Sequence, residues 1–197
     1  EKAAAYMADG YARASGRPGL CLAQQIGASN LAAGLRDGYM AGSPMVAITG
    51  GPSVASRYKH AYQEVEDFSQ FDSVSKLSLQ ADDVSRLPDL LRQLFRAVTT
   101  GAPRPVHLRL QGSHGQGLAG MIDGPLIIEE QYRQVPAHRP EPEIAQVKRA
   151  LAALGKAQRP VIVAGGGVTA SGAQAELVQL AEKLNIPVVT SLNGKGA

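Results

Sequence analysis

The sequence predicts an α/β protein: parallel sheets flanked by helices in three layers, as one nearly complete domain followed by a truncated, Rossmann-like central domain. Three observations carry this. Apolar runs without alternation, LCLA (20–23), PMVAITG (44–50) and RPVHLRL (104–110), suit strands covered on both faces. Segments of helical period lie between them. Glycine-bearing loops, QQIGASN and TGGPS, follow the first two runs, as at the carboxyl edge of a parallel sheet.

Taken in order, the opening segment reads as a helix, because Ala3, Tyr6, Met7, Gly10, Tyr11 and Ala14 recur at helical spacing until SGRPG stops it. LCLA is a buried strand. Ser29 or Asn30 is placed to cap the next helix, LAAGLRDGYMAG, whose Gly34 and Gly38 permit close approach to a neighbour. PMVAITG is the second strand. A long irregular connection with a short helix follows (GPSVASRYKHAYQEVEDFSQF), and the alternating SVSKLSLQ predicts an edge strand. DDVSRLPDLLRQLFRAVTTG predicts an amphipathic helix with Val84, Leu87, Leu91, Leu94, Phe95 and Val98 on one face. RPVHLRL is the next strand. Residues 111–140 turn Gly-rich and then Pro-rich, which sets the domains at 1–125 and 141–197 with 126–140 as linker. The second domain reads helix, strand RPVIVAGGGV, helix SGAQAELVQLAEKLN, strand IPVVTS. Two strands make a poor sheet layer. That, with an opening inside a helix and no initiator Met, predicts a piece of a longer protein.

Composition narrows the functional classes. Of 197 residues 44% are apolar, enough for a core, and the net charge is +3 from scattered basic residues. No basic block and no Trp argue against a nucleic-acid surface. The lone Cys21 lies in an apolar run and fits a reducing, cytoplasmic compartment. No apolar stretch is long enough to span a bilayer. His60, His107, His114 and His138 lack metal-site spacing, so no metal ligands are expected in this chain. There is no nucleophile elbow and no phosphate-loop lysine.

Two glycine loops, GGGVTASG and TSLNGKG, follow neighbouring strands of the second domain. Read alone they suit either tight strand-to-helix turns or a nucleotide-like ligand. In the first domain Glu1, Gln63, Glu64 and Glu66 gather near the equivalent edge, and the plain reading of Glu1, Glu64 and Glu66 is solvated surface acids.

Ordered motifs decide further. EKAAAYMADGYARASGRPGLCLA resembles the stretch from the active-site glutamate onward in thiamine-diphosphate enzymes of the acetolactate synthase type. NLAAGLRDGYMAGSPMVAITG, YQEVEDFSQF, TTGAPRPVHLRL, RPVIVAGGGV and IPVVTSLNGKGA are similar to later segments of that family, in the same order. The resemblance implies a pyrimidine-binding domain, a central domain, and a diphosphate- and Mg2+-binding domain outside this chain. It implies thiamine diphosphate as cofactor, a 2-oxo acid as substrate, carboligase or decarboxylase chemistry, and a homodimer or homotetramer with no nucleic-acid or membrane partner.

Carried over residue by residue, the resemblance makes Glu1 the catalytic acid, which hydrogen-bonds a ring nitrogen of the aminopyrimidine from a water-poor pocket. It puts Gln25, Gly27 and Asn30 on the cofactor and Gln24 and Gln63 on the substrate side. It puts Gly165, Gly166, Gly167, Thr190, Ser191, Leu192 and Gly194 where synthases hold FAD; other members leave that place empty or hold ADP or part of a CoA there. The loop QQIGASN departs from the family's S-G-P-G-A-T-N, with Gln24 and Gln25 where small residues are usual. This suggests a relative with another acceptor. A nucleotide-binding α/β module and a non-catalytic relative are the alternatives.

Overall fold

The computed structural model describes residues 1–65, 69–112, 117–118, 120–122 and 125–197. Glu66 and His114, both considered above, lie outside the described residues. Two compact units, Glu1–Ala137 and His138–Ala197, are described separately.

The first unit is built on a four-stranded parallel sheet, ordered β1-β2-β4-β3. β1 is Gly19–Ala23, β2 Met45–Thr49, β3 Ser78–Ala81 and β4 Val106–Leu110. In the register, Ala23 faces Thr49, and Thr49 and Gln80 both face Arg109. Helices α1 (Lys2–Ser15) and α2 (Ala28–Ala41) cover one face. There Ala5, Ala8, Leu31 and Leu35 close on Cys21, Met45 and Ala47. Helix α3 (Leu87–Thr99) covers the other, with Leu90, Leu94 and Val98 against Val46, Val106 and Leu108. The three layers follow from two-sided burial of β2 and β4, and β3 takes the edge position that its alternation predicts. β1, expected to be buried, forms the other edge and leaves Leu20 and Leu22 54% and 63% exposed, because α3 does not reach across it.

Small residues set the spacing. A Cβ on Gly34 would stand 2.7 Å from the Cβ of Ala5, and one on Gly38 would stand 2.4 Å from the sulfur of Met45. Both glycines therefore permit the close packing expected of them. The same seam decides which face of α1, a helix as expected, is buried. Its buried face is Ala5, Ala8, Asp9 and Ala12. Tyr6, Met7 and Tyr11, chosen by periodicity, are 44%, 76% and 52% exposed. Alanines allow α1 to lie against α2 at a distance that larger side chains would prevent.

The cap of α2 also differs. Its N-cap is Gly27, no side chain caps it, and Ser29 and Asn30 stand inside the first turn. Helix α3 is preceded by a 3-10 turn at Val84–Arg86, where the Asp83 carboxylate accepts the Ser85 N–H at 2.8 Å. Val84 thus precedes the helix, and Leu90 joins the buried face.

Residues 126–137, within the expected linker, are fastened to the first unit. Glu129 accepts from Arg96 Nε at 2.8 Å and from Arg92 Nε at 3.4 Å. The Val135 N–H donates to the Gly16 carbonyl at 2.8 Å.

The second unit has parallel strands β5 (Ile162–Ala164) and β6 (Val188–Thr190) with helices α4 (Ile144–Lys156), α5 (Gly166–Ser171) and α6 (Gln174–Leu184). The glycine run folds into α5 instead of extending the strand. Gly172, at φ +66°, ends α5, so Ser171 and Gly172 close one helix and do not open the next. Among the described residues no helix is long and apolar enough to cross a membrane.

Candidate functional site

The carboxyl ends of β1, β2 and β4 release the chain into loops that meet at one edge of the first sheet. The loop after β1 carries Gln25 and Gly27. Glu1, at the head of α1, is exposed, and its side chain lies over that loop. A Cβ on Gly27 would fall 2.5 Å from Glu1 Cγ and 2.8 Å from Oε1. Asn30 reaches back from α2, and its Nδ2 donates to Glu1 Oε2 at 3.5 Å. Glu1, Gly27 and Asn30 are thus brought together, as a carboxylate on a glycine floor beside an amide. Such a group can accept an N–H from a heterocycle.

Beside this loop opens a cleft of about 290 Å³ lined by Gln25, Gly51, Pro52, Ser53, Ser56, Ala61, Tyr62, Glu64, Gly112 and Gly117. The loop over it is held by Glu64, whose Oε1 accepts the Tyr58 N–H at 2.6 Å and whose Oε2 accepts the Ala61 N–H at 2.8 Å. Tyr58, His60 and Gln63 all have positive φ, and Glu64 ties down the strained turn they form. Gln63 is half-buried, and its neighbours Tyr62 and Glu64 form the wall. Gln24 is also half-buried. Gln25 is 4% exposed, and its Nε2 has no hydrogen-bond partner among the described residues.

An inner chamber of about 10 Å³ adjoins Gln25, between Thr49, Phe71, His107 and Arg109. That is room for about one water. His107 is fully buried and stacks on Phe71 with centroids 3.5 Å apart. Its Nε2 meets Thr49 Oγ1 and its Nδ1 meets Ser78 Oγ, both at 2.8 Å. Burial first, and then the charge of Arg109, push its pKa down to about 3, so the ring is neutral. Arg109 crosses Gly51, where a Cβ would stand 2.0 Å from its Nε, and donates to the Val65 carbonyl at 3.2 Å. Burial pushes the Cys21 thiol up to about 11.

Sequence reading missed Glu64 as a loop anchor, because a surface acid and a loop clamp look alike in one dimension. It had no signal for the buried pairing of His107.

In the second unit, the glycines of the two loops meet the chain's own backbone. A Cβ on Gly194 would be 2.3 Å from the Ala164 carbonyl oxygen, and one on Gly166 would be 3.0 Å from the Asn193 carbonyl oxygen. Ser191 Oγ accepts the Gly194 N–H at 3.1 Å. Gly165 has Ser191 Oγ 3.9 Å from its β-position, whereas Gly167 faces open space. Thr190 and Leu192 are exposed. Among the described residues no cluster of three or more His, Cys, Asp or Glu is arranged to hold a metal.

Known proteins place these features in a family. Residues 1–71 match the thiamine pyrophosphate enzyme, N-terminal TPP binding domain, and residues 147–197 match the thiamine pyrophosphate enzyme, central domain. The whole chain is 37% identical to a probable acetolactate synthase large subunit of Methanocaldococcus jannaschii and 38% identical to one of Methanococcus aeolicus. It is 34% identical to an acetolactate synthase of Arthrospira platensis. The chain spans about a third of the length of these relatives: 33%, 33% and 34%. In fold it matches a putative thiamin diphosphate-dependent enzyme of Mycobacterium smegmatis, with a TM-score of 0.84 at 24% identity, over 97% of this chain and 36% of that one. This chain belongs to the thiamine-diphosphate-dependent enzymes of the acetolactate synthase-like family, and it carries sequence of their N-terminal cofactor-binding and central domains.

Proposed function

We propose that the chain works as part of a thiamine-diphosphate-dependent carboligase or decarboxylase acting on a 2-oxo acid. The observation that carries this is the carboxylate of Glu1 lying on Gly27 and beside Asn30, at the sheet edge where ligands of α/β proteins bind. The donor set fits the cofactor's aminopyrimidine: a carboxylate, an amide, and a floor that a Cβ would fill. When bound, thiamine diphosphate supplies a nucleophilic carbon and an electron sink for the bond beside the 2-oxo acid's carbonyl.

The chain's own residues supply binding and proton control. Glu1 would hold a ring nitrogen of the cofactor through its carboxyl group, and Asn30 would orient that group. Gly27 lets the ring approach, and Gln63 stands on the substrate side. Proton exchange of this kind requires the acid to be shielded from water. Glu1 is exposed on one copy of the chain, and Tyr6, Met7 and Tyr11 leave an apolar stripe on the same helix. We therefore propose a homodimer or homotetramer in which a second copy covers this helix. Mg2+ and the diphosphate belong to residues outside this chain. We propose a reducing, cytoplasmic setting, which a single buried cysteine fits.

For FAD, Gly166 and Gly194 are accounted for by the chain's own backbone contacts, which leaves Gly167 as the open position. Flavin absorption in the purified complete protein decides this part of the proposal.

The decisive experiment is Glu1→Gln in the complete protein. Hydrogen exchange at the thiazolium carbon of bound cofactor should slow by roughly 10²–10⁴-fold. An unchanged rate, with cofactor still bound, would overturn the role of Glu1.

A further inference from the structure

The cleft of about 290 Å³ has a brace behind its wall. Gln111, the first residue after β4, is 8% exposed. Its Nε2 donates to the Asp82 carbonyl at 2.9 Å and to Asp82 Oδ1 at 3.0 Å. Its Oε1 accepts the Val54 N–H at 3.4 Å. Its carbonyl accepts the Gly117 N–H at 2.8 Å, and a Cβ on Gly117 would stand 2.8 Å from the Cβ of Gln111. The adjacent Gly112 carbonyl accepts the Gly51 N–H at 3.0 Å. Gly51, Gly112 and Gly117 all line the cleft. One buried side chain and the backbone beside it thus tie three lining segments together and anchor them to the turn after β3. Both ends of the amide are hydrogen-bonded, and such a buried polar group holds its partners at a fixed separation.

The lining suits one part of a substrate. Pro52, Ala61 and Tyr62 contribute carbon-rich side chains, and Ser53 and Ser56 share a hydroxyl–hydroxyl contact at 2.8 Å. Among the described lining residues the charged one is Glu64, and both its carboxylate oxygens accept backbone N–H groups. A small, mainly neutral cleft takes the uncharged end of a metabolite and leaves its carboxylate outside. The cleft also adjoins the loop after β1: Gln25 lines it two residues before Gly27, the floor under Glu1.

We propose that Gln111 is a positioning residue that sets substrate choice: by bracing the wall at Val54 and Gly117 it fixes the width of the cleft, and so the size of the side chain that a 2-oxo acid can place there. The inference rests on the thiamine-diphosphate reading above and adds a selectivity device to it.

The test uses the complete protein with thiamine diphosphate and Mg2+. It compares wild type, Gln111→Met, Gln111→Glu, and Gln111→Glu combined with Asp82→Asn. Methionine keeps the length and removes the amide. kcat/KM is measured for pyruvate and for 3-methyl-2-oxobutanoate, a bulkier, branched acid. In Gln111→Met the ratio should move toward the bulkier acid by roughly 10-fold, the scale of a methylene or two in a pocket. Hydrogen exchange at the thiazolium carbon of bound cofactor should stay within about twofold, since the contacts of Glu1 are with Gly27 and Asn30. Gln111→Glu keeps an acceptor for Val54 but sets two carboxylates against each other. Adding Asp82→Asn returns a donor to that pair, and the ratio should return toward the wild-type value. This pair carries the comparison if Gln111→Met is poorly folded. An unchanged ratio in folded variants would overturn the inference. So would equal losses for both acids, which mark a merely structural role, or a double substitution that restores nothing. A wild type that binds no thiamine diphosphate would instead overturn the reading on which the inference rests.

Discussion

The β-position of Gly27 lies 2.5 Å from Cγ of Glu1, so the absence of a side chain at residue 27 is what lets the acid lie down on the loop after β1. Gly27→Ala should push Glu1 aside. Because Glu1 is an exposed, flexible side chain, the stability cost should be small, within about 1 kcal/mol. A displacement near 1 Å at a reacting group can cost on the order of 10²-fold in rate. The expected result is a 2-oxo-acid turnover reduced roughly 10–100-fold with a nearly unchanged melting temperature. Wild-type turnover would show that the contact is incidental.

Glu64 receives the N–H groups of Tyr58 and Ala61, and the turn between them has positive φ at Tyr58 and His60. Glu64→Ala removes both acceptors. The strained turn should open, and amide hydrogen exchange across residues 58–64 should accelerate by roughly 10-fold or more, about 1–2 kcal/mol of local stability. Exchange in β2 and α3 should stay as in the wild type. Equal protection in the variant would mean that other contacts hold the loop.

His107 couples the fold to pH. Its folded pKa, about 3, is below the unfolded value near 6.5. The unfolded chain therefore binds the extra proton first as pH falls. The stability contributed by the neutral, buried ring is complete above about pH 6.5 and is lost progressively toward pH 3, on the order of a few kcal/mol in all. Urea unfolding between pH 7 and pH 4 should show this slope in the wild type and a shallower one in His107→Gln. Parallel slopes would place the acid sensitivity elsewhere.

Leu94 is fully buried between α3 and the sheet. Leu94→Ala should cost about 2–5 kcal/mol, and Leu31→Ala, fully buried in the opposite layer, should cost about as much. Urea midpoints check both. A much smaller loss in either would mean that its layer relaxes into the cavity.

Much of the fold was legible in one dimension because a strand covered on both faces must be apolar throughout. PMVAITG and RPVHLRL announced themselves in this way, LCLA is apolar throughout although one of its faces is exposed, and the Gly-bearing loops marked the edge where the candidate site lies. The order of motifs carried the family, and with it the expectation that Glu1, Gly27 and Asn30 belong to one site. The reading of α1 as a helix held, but apolar period did not say which of two stripes a neighbour will accept. The Ala5, Ala8 and Ala12 stripe won on distance from α2, a property of two helices together.

The sequence by itself determined the main helices and strands and the parallel class, since these follow from local period and chemical identity; it singled out the acid at residue 1 only through family resemblance. The tertiary structure decided what depends on partners distant along the chain. It set Asn30 against Glu1 instead of at a helix cap, turned Glu64 into a loop clamp, and neutralised His107 between Thr49 and Ser78. It also left Nε2 of Gln25 buried, with no partner among the described residues. Burial and hydrogen-bond satisfaction are sums over neighbours that only the folded chain supplies.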